Sequence, residues 1–389
     1  MSQWERANSY PYDVWGILPA LLFFQHRCHM EAQVTEPTLH DWLALHAESL
    51  DTHTEQAEAL LPRLASDGLI GLGVPVAMGG QGGDLGDALC AIAALAERSL
   101  TAAFMAWSQR AFIELLLQTP NTALRERLLP ELLAGRLAGA PGLSNAMKFV
   151  SGLESLQVRG AVEADGRWCL DGVLPWVSNL RNEGFVAACA MADAAGGPPQ
   201  IWALPHDAEG LSRSADFDLL GMQASHTARL EIADVQLDTA WRLHDTAPAY
   251  LPGVRPNFLG LQCALAMGLA QRCLQVAEAV MGAAAAVLAE PLAATGAELA
   301  ECRVRLLAGL RDGRFREDPV SLCKLRIRLV ELAQQALQLE LQASGGRAFL
   351  NEYNTDFARR WREAAFLPVI TPSLVQLKGE LGRKRMACQ

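Results

Sequence analysis

Across residues 36–137 apolar side chains recur at steps of three and four, as in Trp107, Phe112, Leu115 and Leu116, and again in Leu128, Leu129, Leu132 and Leu133. That period puts one apolar face on a helix, so the first third reads as a helical unit. A Gly-rich stretch at 74–83 breaks it once. Between about 139 and 243 the pattern shortens to β-prone or alternating runs at 155–158, 168–170, 185–188 and 229–232, separated by Gly, Asp and Pro. These predict a small antiparallel β unit. After Pro256 long helical runs return; one opens with Asp318 as cap and Pro319 at the first helical position, and runs to Ala343 before Gly345 and Gly346.

The expected fold is therefore α+β and mainly α. An N-terminal helical domain (30–138) is followed by a middle antiparallel β domain (139–245) and a C-terminal four-helix bundle (246–389). Residues 1–29 do not match the rest and read as an untranslated or disordered extension, with Met30 as the start of the folded chain. The apolar run 259–292 is interrupted by Gln262, Gln271, Arg272 and Glu278, so it reads as a buried helix rather than a membrane span. Its apolarity also leads us to expect a homodimer or homotetramer formed through the bundle.

Composition narrows the classes. Of the 389 residues 51% are hydrophobic and 20% charged, as in a globular protein with a large core. The net charge of −10 argues against a nucleic-acid partner. Nine scattered cysteines, with no Cys-x-x-Cys, suggest reduced thiols in a cytoplasmic protein. His26, Cys28 and His29 have metal-ligand spacing but fall in the extension, so no metal site is expected.

A series of weak motifs then appears in order. Pro75, Gly79, Gly80 and Gly82 form one, and Leu129, Pro130 and Gly135 a second. Trp176, Ser178 and Asn179 end a strand; Leu220, Gly221, Ser225 and Thr227 follow. Arg255, Gly268 and Arg272 open the bundle; Gln342, Gly345 and Gly346 precede Glu352, Tyr353 and Arg360. Over roughly 30–384 this order resembles the acyl-CoA dehydrogenase superfamily of flavoenzymes. The resemblance implies FAD, with the Trp176 indole against the isoalloxazine and the Ser178 hydroxyl toward its N5. Leu143 and Asn145 would hold the pyrimidine edge, with Ser151 as a further side-chain bond. Gln342, Gly345 and Gly346 would meet the FAD adenosine of a neighbouring subunit; an ordinary helix C-cap is the other reading of the two glycines.

Two features depart from the family. The expected carboxylate base falls on Val369 or Thr371, depending on the alignment, and the family's second position for it falls on Val254. The Arg-x-x-Phe-Gly cofactor clamp is missing from 282–292, which makes FMN, or reduced flavin supplied by a reductase, an alternative to bound FAD. Weak candidates for catalysis are His226, His244 and Arg255; Glu363 is nearby in sequence but reads better as an Arg-paired helix residue. Three functions remain open. One is a dehydrogenase-type oxidoreductase acting on an acyl thioester or similar small substrate with an electron-transfer partner. Another is a reduced-flavin monooxygenase acting on a small sulfur or nitrogen compound with a partner reductase. The third is a non-catalytic paralogue.

Overall fold

The computed structural model describes residues 37–350 and 355–387. The reading of 1–29 and the motif residues Glu352 and Tyr353 lie outside them.

The first helices are set by local chemistry. Helices α1 (Leu39–Thr52) and α2 (Ala57–Ser66) lead to α3 (Leu85–Ala96), where Asp84 accepts from Gly86 and Asp87 amides and Asp87 accepts from Asp84 N in return. This closed box satisfies donors that an α-helix leaves free at its start. Ser99 caps α4 (Leu100–Gln118) by a single bond, its hydroxyl accepting from Ala102 N, and α5 (Thr122–Leu133) follows. Every residue of α4 from Leu100 to Leu116 is buried. Its periodicity suggests one wet face, but α4 packs against both the short strand Ala138–Ala140 and the long bundle helix Ala247–Val280, and has no such face.

Next come β1 (Ala138–Ala140), α6 (Ser144–Val150), β2 (Val158–Val162), β3 (Trp168–Val177), β4 (Phe185–Asp193), β5 (Gln200–Pro205), β6 (Leu211–Arg213), β7 (Ala228–Leu237) and β8 (Arg242–His244). They form one sheet in the order β6-β7-β3-β2-β4-β5-β8, with β1 also on β4. The sheet is not purely antiparallel: β1 and β2 both pair with β4 in parallel. The β-prone run at 155–158 is a strand only from Val158, because the Asn145 side chain holds the preceding backbone, donating to Ser155 O and accepting from Gln157 N.

The bundle contains α7 (Ala247–Val280), α8 (Ala285–Arg311), the short α9 (Arg314–Glu317), α10 (Pro319–Ser344), α11 (Thr355–Phe366) and α12 (Leu374–Ala387). Asp318 caps α10 through Ser321 N, as the sequence predicts. Helix α7 is central, packed by α3, α4, α8 and α10. At Gly268 the approach to α3 is so close that an added Cβ would lie 2.0 Å from Ala93 O. Residues 259–270 are all buried by this chain's own helices, so their apolarity does not by itself require a second subunit. The apolar run also breaks after Val280, and its end belongs to α8, where Val287 is exposed. With the turn before it, α8 is the one described helix long and apolar enough by composition to cross a membrane. Here it is an outer bundle helix tied to α10 by the Glu298–Arg328 ion pair.

Candidate functional site

Where the three segments meet there is a cavity of 720 Å³. Its walls are Trp176 and Ser178 at the end of β3, residues 219–222 with Ser225 and Thr227 just before β7, and Leu143, Ser144, Met147 and Lys148 at the start of α6. Phe104 and Trp107 on α4, Phe258 on α7 and the connection between α11 and α12 complete them. This size and mostly apolar lining are those of a small-molecule site.

The polar atoms are few and ordered. Ser178 Oγ lies 2.8 Å from Thr227 Oγ1, which lies 2.8 Å from Ser225 Oγ, giving a chain of three hydroxyls along one wall. Beside it the Trp176 indole is 58% exposed and meets Phe217 edge-on at 4.6 Å. An open indole next to hydroxyls suits a flat ring with a polar edge. On the other side Ser144 Oγ is 3.0 Å from Thr371 Oγ1.

Two charged side chains line the cavity among the described residues, and both are cationic. Lys148 is paired to Glu154 at 2.7 Å. Arg362 donates to Asp51 at 2.6 Å and Glu48 at 2.8 Å; burial opposes its charge, but these bonds outweigh it and hold the guanidinium above its ordinary pKa. Asp51 also accepts from Met222 N at 2.7 Å, and an added Cβ at Gly221 would sit 2.6 Å from Asp51 Oδ1. Glycine is therefore what lets the 219–222 loop close on this ion pair.

Both positions expected for a base are on the wall, and neither is a carboxylate. Val369 is 63% exposed, and Thr371 is fixed by Ser144 and by Gln262 Nε2, which donates to its carbonyl at 2.9 Å. Behind them Arg326 is fully buried, donating to Gln262 Oε1 at 2.9 Å and to Leu367 O at 3.1 Å. Burial pushes its pKa down to about 10. Val254 is interior to α7. Glu363 does not reach the cavity: it accepts from Leu100 N at 2.8 Å and pairs with Arg359 at 3.3 Å, and burial pushes its carboxyl up to about 7 against the pull of Arg359.

Several expected site residues are elsewhere. His226 does not line the cavity; it is buried between Glu58 (3.7 Å) and Asp216 (3.6 Å), while its neighbours Ser225 and Thr227 face inward. His244 stacks on Tyr250 and accepts from Thr246 N. Arg255 is held by Glu380 at 2.6 Å. The Asn145 amide is used up by the 155–157 backbone, and Ser151 ends α6, its carbonyl accepting from Arg383. Neither lines the cavity, whereas Leu143, Trp176 and Ser178 do. Gln342 lies sixteen residues beyond Arg326 on α10, about 24 Å along the axis, with Gly345 and Gly346 just past it. These three do not reach the cavity of their own chain. The sequence reading missed Phe104, Trp107 and Phe258 as wall residues, and Arg326 with Gln262 as the brace behind it. Arg326 did carry a signal, being a charge on the apolar stripe Leu322–Leu329–Ala333.

Residues 30–136 match the family model described as acyl-CoA dehydrogenase, N-terminal domain. The chain is 27% identical over 244 residues to a probable acyl-CoA dehydrogenase of Mycobacterium leprae, a match spanning 60% of this chain and 61% of the relative. It is 24% identical over 354 residues to a probable acyl-CoA dehydrogenase of Bacillus subtilis, covering 84% and 89%. Among solved structures a glutaryl-coenzyme A dehydrogenase bound to glutaryl-CoA superposes with TM-score 0.78 at 18% identity, covering 89% of this chain and 91% of the other. KijD3 in complex with FMN and a dTDP-amino-keto sugar gives 0.75 at 20%, covering 90% and 91%. A nitrososynthase from Micromonospora carbonacea var. africana gives 0.73 at 22%, covering 89% and 93%.

Proposed function

We propose, for a chain that belongs to the acyl-CoA dehydrogenase superfamily, a flavin-dependent oxidation that needs no carboxylate base in the cavity: monooxygenation of a small sulfur- or nitrogen-containing substrate. The observation that carries this reading is the wall at 366–376, where Val369 and Thr371 stand and no described carboxylate lines the cavity. Removing a weakly acidic proton α to a thioester requires a positioned base, and threonine and valine supply none at neutral pH. Oxygen transfer to a nucleophilic sulfur or nitrogen has no such requirement. Reduced flavin bound at the cavity would give two electrons to dioxygen, one oxygen atom passing to the substrate and the other leaving as water.

The chain's own residues have clear parts in this scheme. Trp176 offers the face for the flavin ring, and Ser178, steadied by Thr227 and Ser225, offers a hydroxyl at its edge. The mostly apolar walls would limit the water around the reacting atoms once flavin and substrate fill the cavity. The absence of an Arg-x-x-Phe-Gly clamp from 282–292 favours FMN, or reduced flavin delivered by a partner reductase, over a long FAD tail clamped in place. The likeness to an FMN-bound KijD3 and to a nitrososynthase supports the same reading.

Dehydrogenation of an acyl thioester is the second reading, and the extended match to the Bacillus subtilis relative favours it. Mixing flavin-loaded protein anaerobically with acyl-CoAs separates the two. Flavin bleaching overturns the monooxygenase reading. No bleaching, with oxygen consumed and substrate oxygenated only when a flavin reductase is present, is the expected result. A protein that binds no flavin under either condition would sink both.

A further inference from the structure

On its helical side the cavity is lined by a run of four aromatic rings from three helices. Phe366 of α11 meets Phe104 edge-on at 5.0 Å, Phe104 stacks on Trp107 at 5.3 Å, and Trp107 meets Phe258 of α7 edge-on at 5.0 Å. All four line the cavity. Phe, Trp and Tyr are only 6% of the chain, so four adjoining rings on one wall are a local concentration that generic packing does not require. The single polar atom in the run, Trp107 Nε1, is spent on Phe258 O at 3.3 Å. That bond fixes the indole and pins α4 to α7, closing the space between these helices. The wall therefore offers π faces and edges and no hydrogen bond. Met147 and Met222 line the same cavity and add polarisable sulfur beside the rings.

We infer that this wall is the substrate's recognition surface, and that the part of the substrate it holds is a flat ring, aromatic or heteroaromatic, of about one-ring size. The inference rests on the proposed function, since it takes the β-unit wall of the 720 Å³ cavity, at Trp176 and Ser178, for the flavin and leaves the helix-lined wall for substrate. A ring inserted between flavin and wall meets offset or edge-on partners, the arrangements that aromatic pairs favour. A linear acyl chain gains no such contact.

The test is calorimetric titration of FMN-loaded protein with 4-methylphenol and with 4-methylcyclohexanol, which share a carbon skeleton but differ in aromaticity. The phenol should bind tighter, on the order of tenfold. In Trp107→Leu the preference should shrink to near parity, and hexanoyl-N-acetylcysteamine should bind better than to the wild type. Phe366→Leu, at a less buried position, provides a second variant should Trp107→Leu misfold. Equal binding of the two alcohols by the wild type, or an unchanged preference in the variant that folds, overturns the inference. Ring-selective binding without oxygenation leaves the recognition wall standing and counts against the monooxygenase chemistry alone. Oxygenation of ring and chain compounds without preference does the reverse.

Discussion

Arg326 donates through Nε to the side-chain oxygen of Gln262 at 2.9 Å, and the same glutamine amide donates to the carbonyl of Thr371 at 2.9 Å. A fully buried guanidinium with no carboxylate partner among the described residues is costly, and burial pushes its pKa down to about 10. What it obtains is a rigid backing for the 367–371 segment, with one hand on Leu367 O and the other on Gln262. Arg326→Ala should destabilise the fold by roughly 3–5 kcal/mol, since it leaves two buried acceptors unpaired and a void. Arg326→Met, which keeps the volume and removes the charge, should lose only about 1–3 kcal/mol. Urea unfolding measures both, and faster amide exchange at 367–371 should accompany them.

Trp176 is the exposed member of its strand end, so its removal should leave stability nearly unchanged. Trp176→Ala should instead weaken FMN binding by roughly 10–100-fold, through lost stacking area and ring contact. Fluorescence titration reads this directly. Equal FMN affinity in the variant would remove the indole from the site.

Glu363 should impose its own pH dependence on stability. Its folded-state pKa, about 7, lies above its ordinary 4.5, so between these values the folded protein binds more protons than the unfolded chain. The contribution is whole below pH 4.5 and is lost as pH rises through about 7. Glu363→Gln does not titrate but keeps an acceptor for Leu100 N. The stability of the wild type relative to this variant should therefore fall from pH 4.5 to 8, measured by urea midpoints at each pH.

Val369 stands where the cavity wall lacks a carboxylate, and its side chain is exposed enough to be changed without disturbing the core. Val369→Glu should confer acyl-CoA-dependent flavin bleaching under anaerobic conditions, where none is expected of the native chain. A general base typically contributes 10²–10⁴-fold. No gain at all would mean that something besides the base bars thioester dehydrogenation.

The layout of helices, sheet and bundle was legible because it follows from apolar period, caps and turn residues, all of them local. Asp318 and Pro319 announced α10, and the Trp176–Ser178 pair announced its own place on the cavity. The parallel pairings of β1 and β2 with β4 were not legible, because register across a sheet is set by partners distant in sequence. The surroundings of Asn145 and His226 were not legible for a related reason: each has the right chemistry for a site, but its side chain is held by a neighbour, the 155–157 backbone or the Glu58–Asp216 gap. The aromatic wall escaped notice because Phe104, Trp107, Phe258 and Phe366 look like ordinary core positions until three helices converge.

Asn179, which follows Ser178 directly, has a left-handed backbone (φ 64°), and its buried amide donates to Gln109 Oε1 and to Gly139 O, both at 2.9 Å. Gln109 itself donates to Leu132 O and Leu137 O and accepts from Gly139 N. This knot joins residues 70 and 40 positions apart in the chain, so the end of β3 cannot settle until α4 and β1 are in place. The cavity wall at Trp176 and Ser178 is consequently a late product of folding. During refolding, quenching of added FMN should lag behind the return of helical circular dichroism, and the cofactor would arrive as a seal on a finished protein rather than as its template.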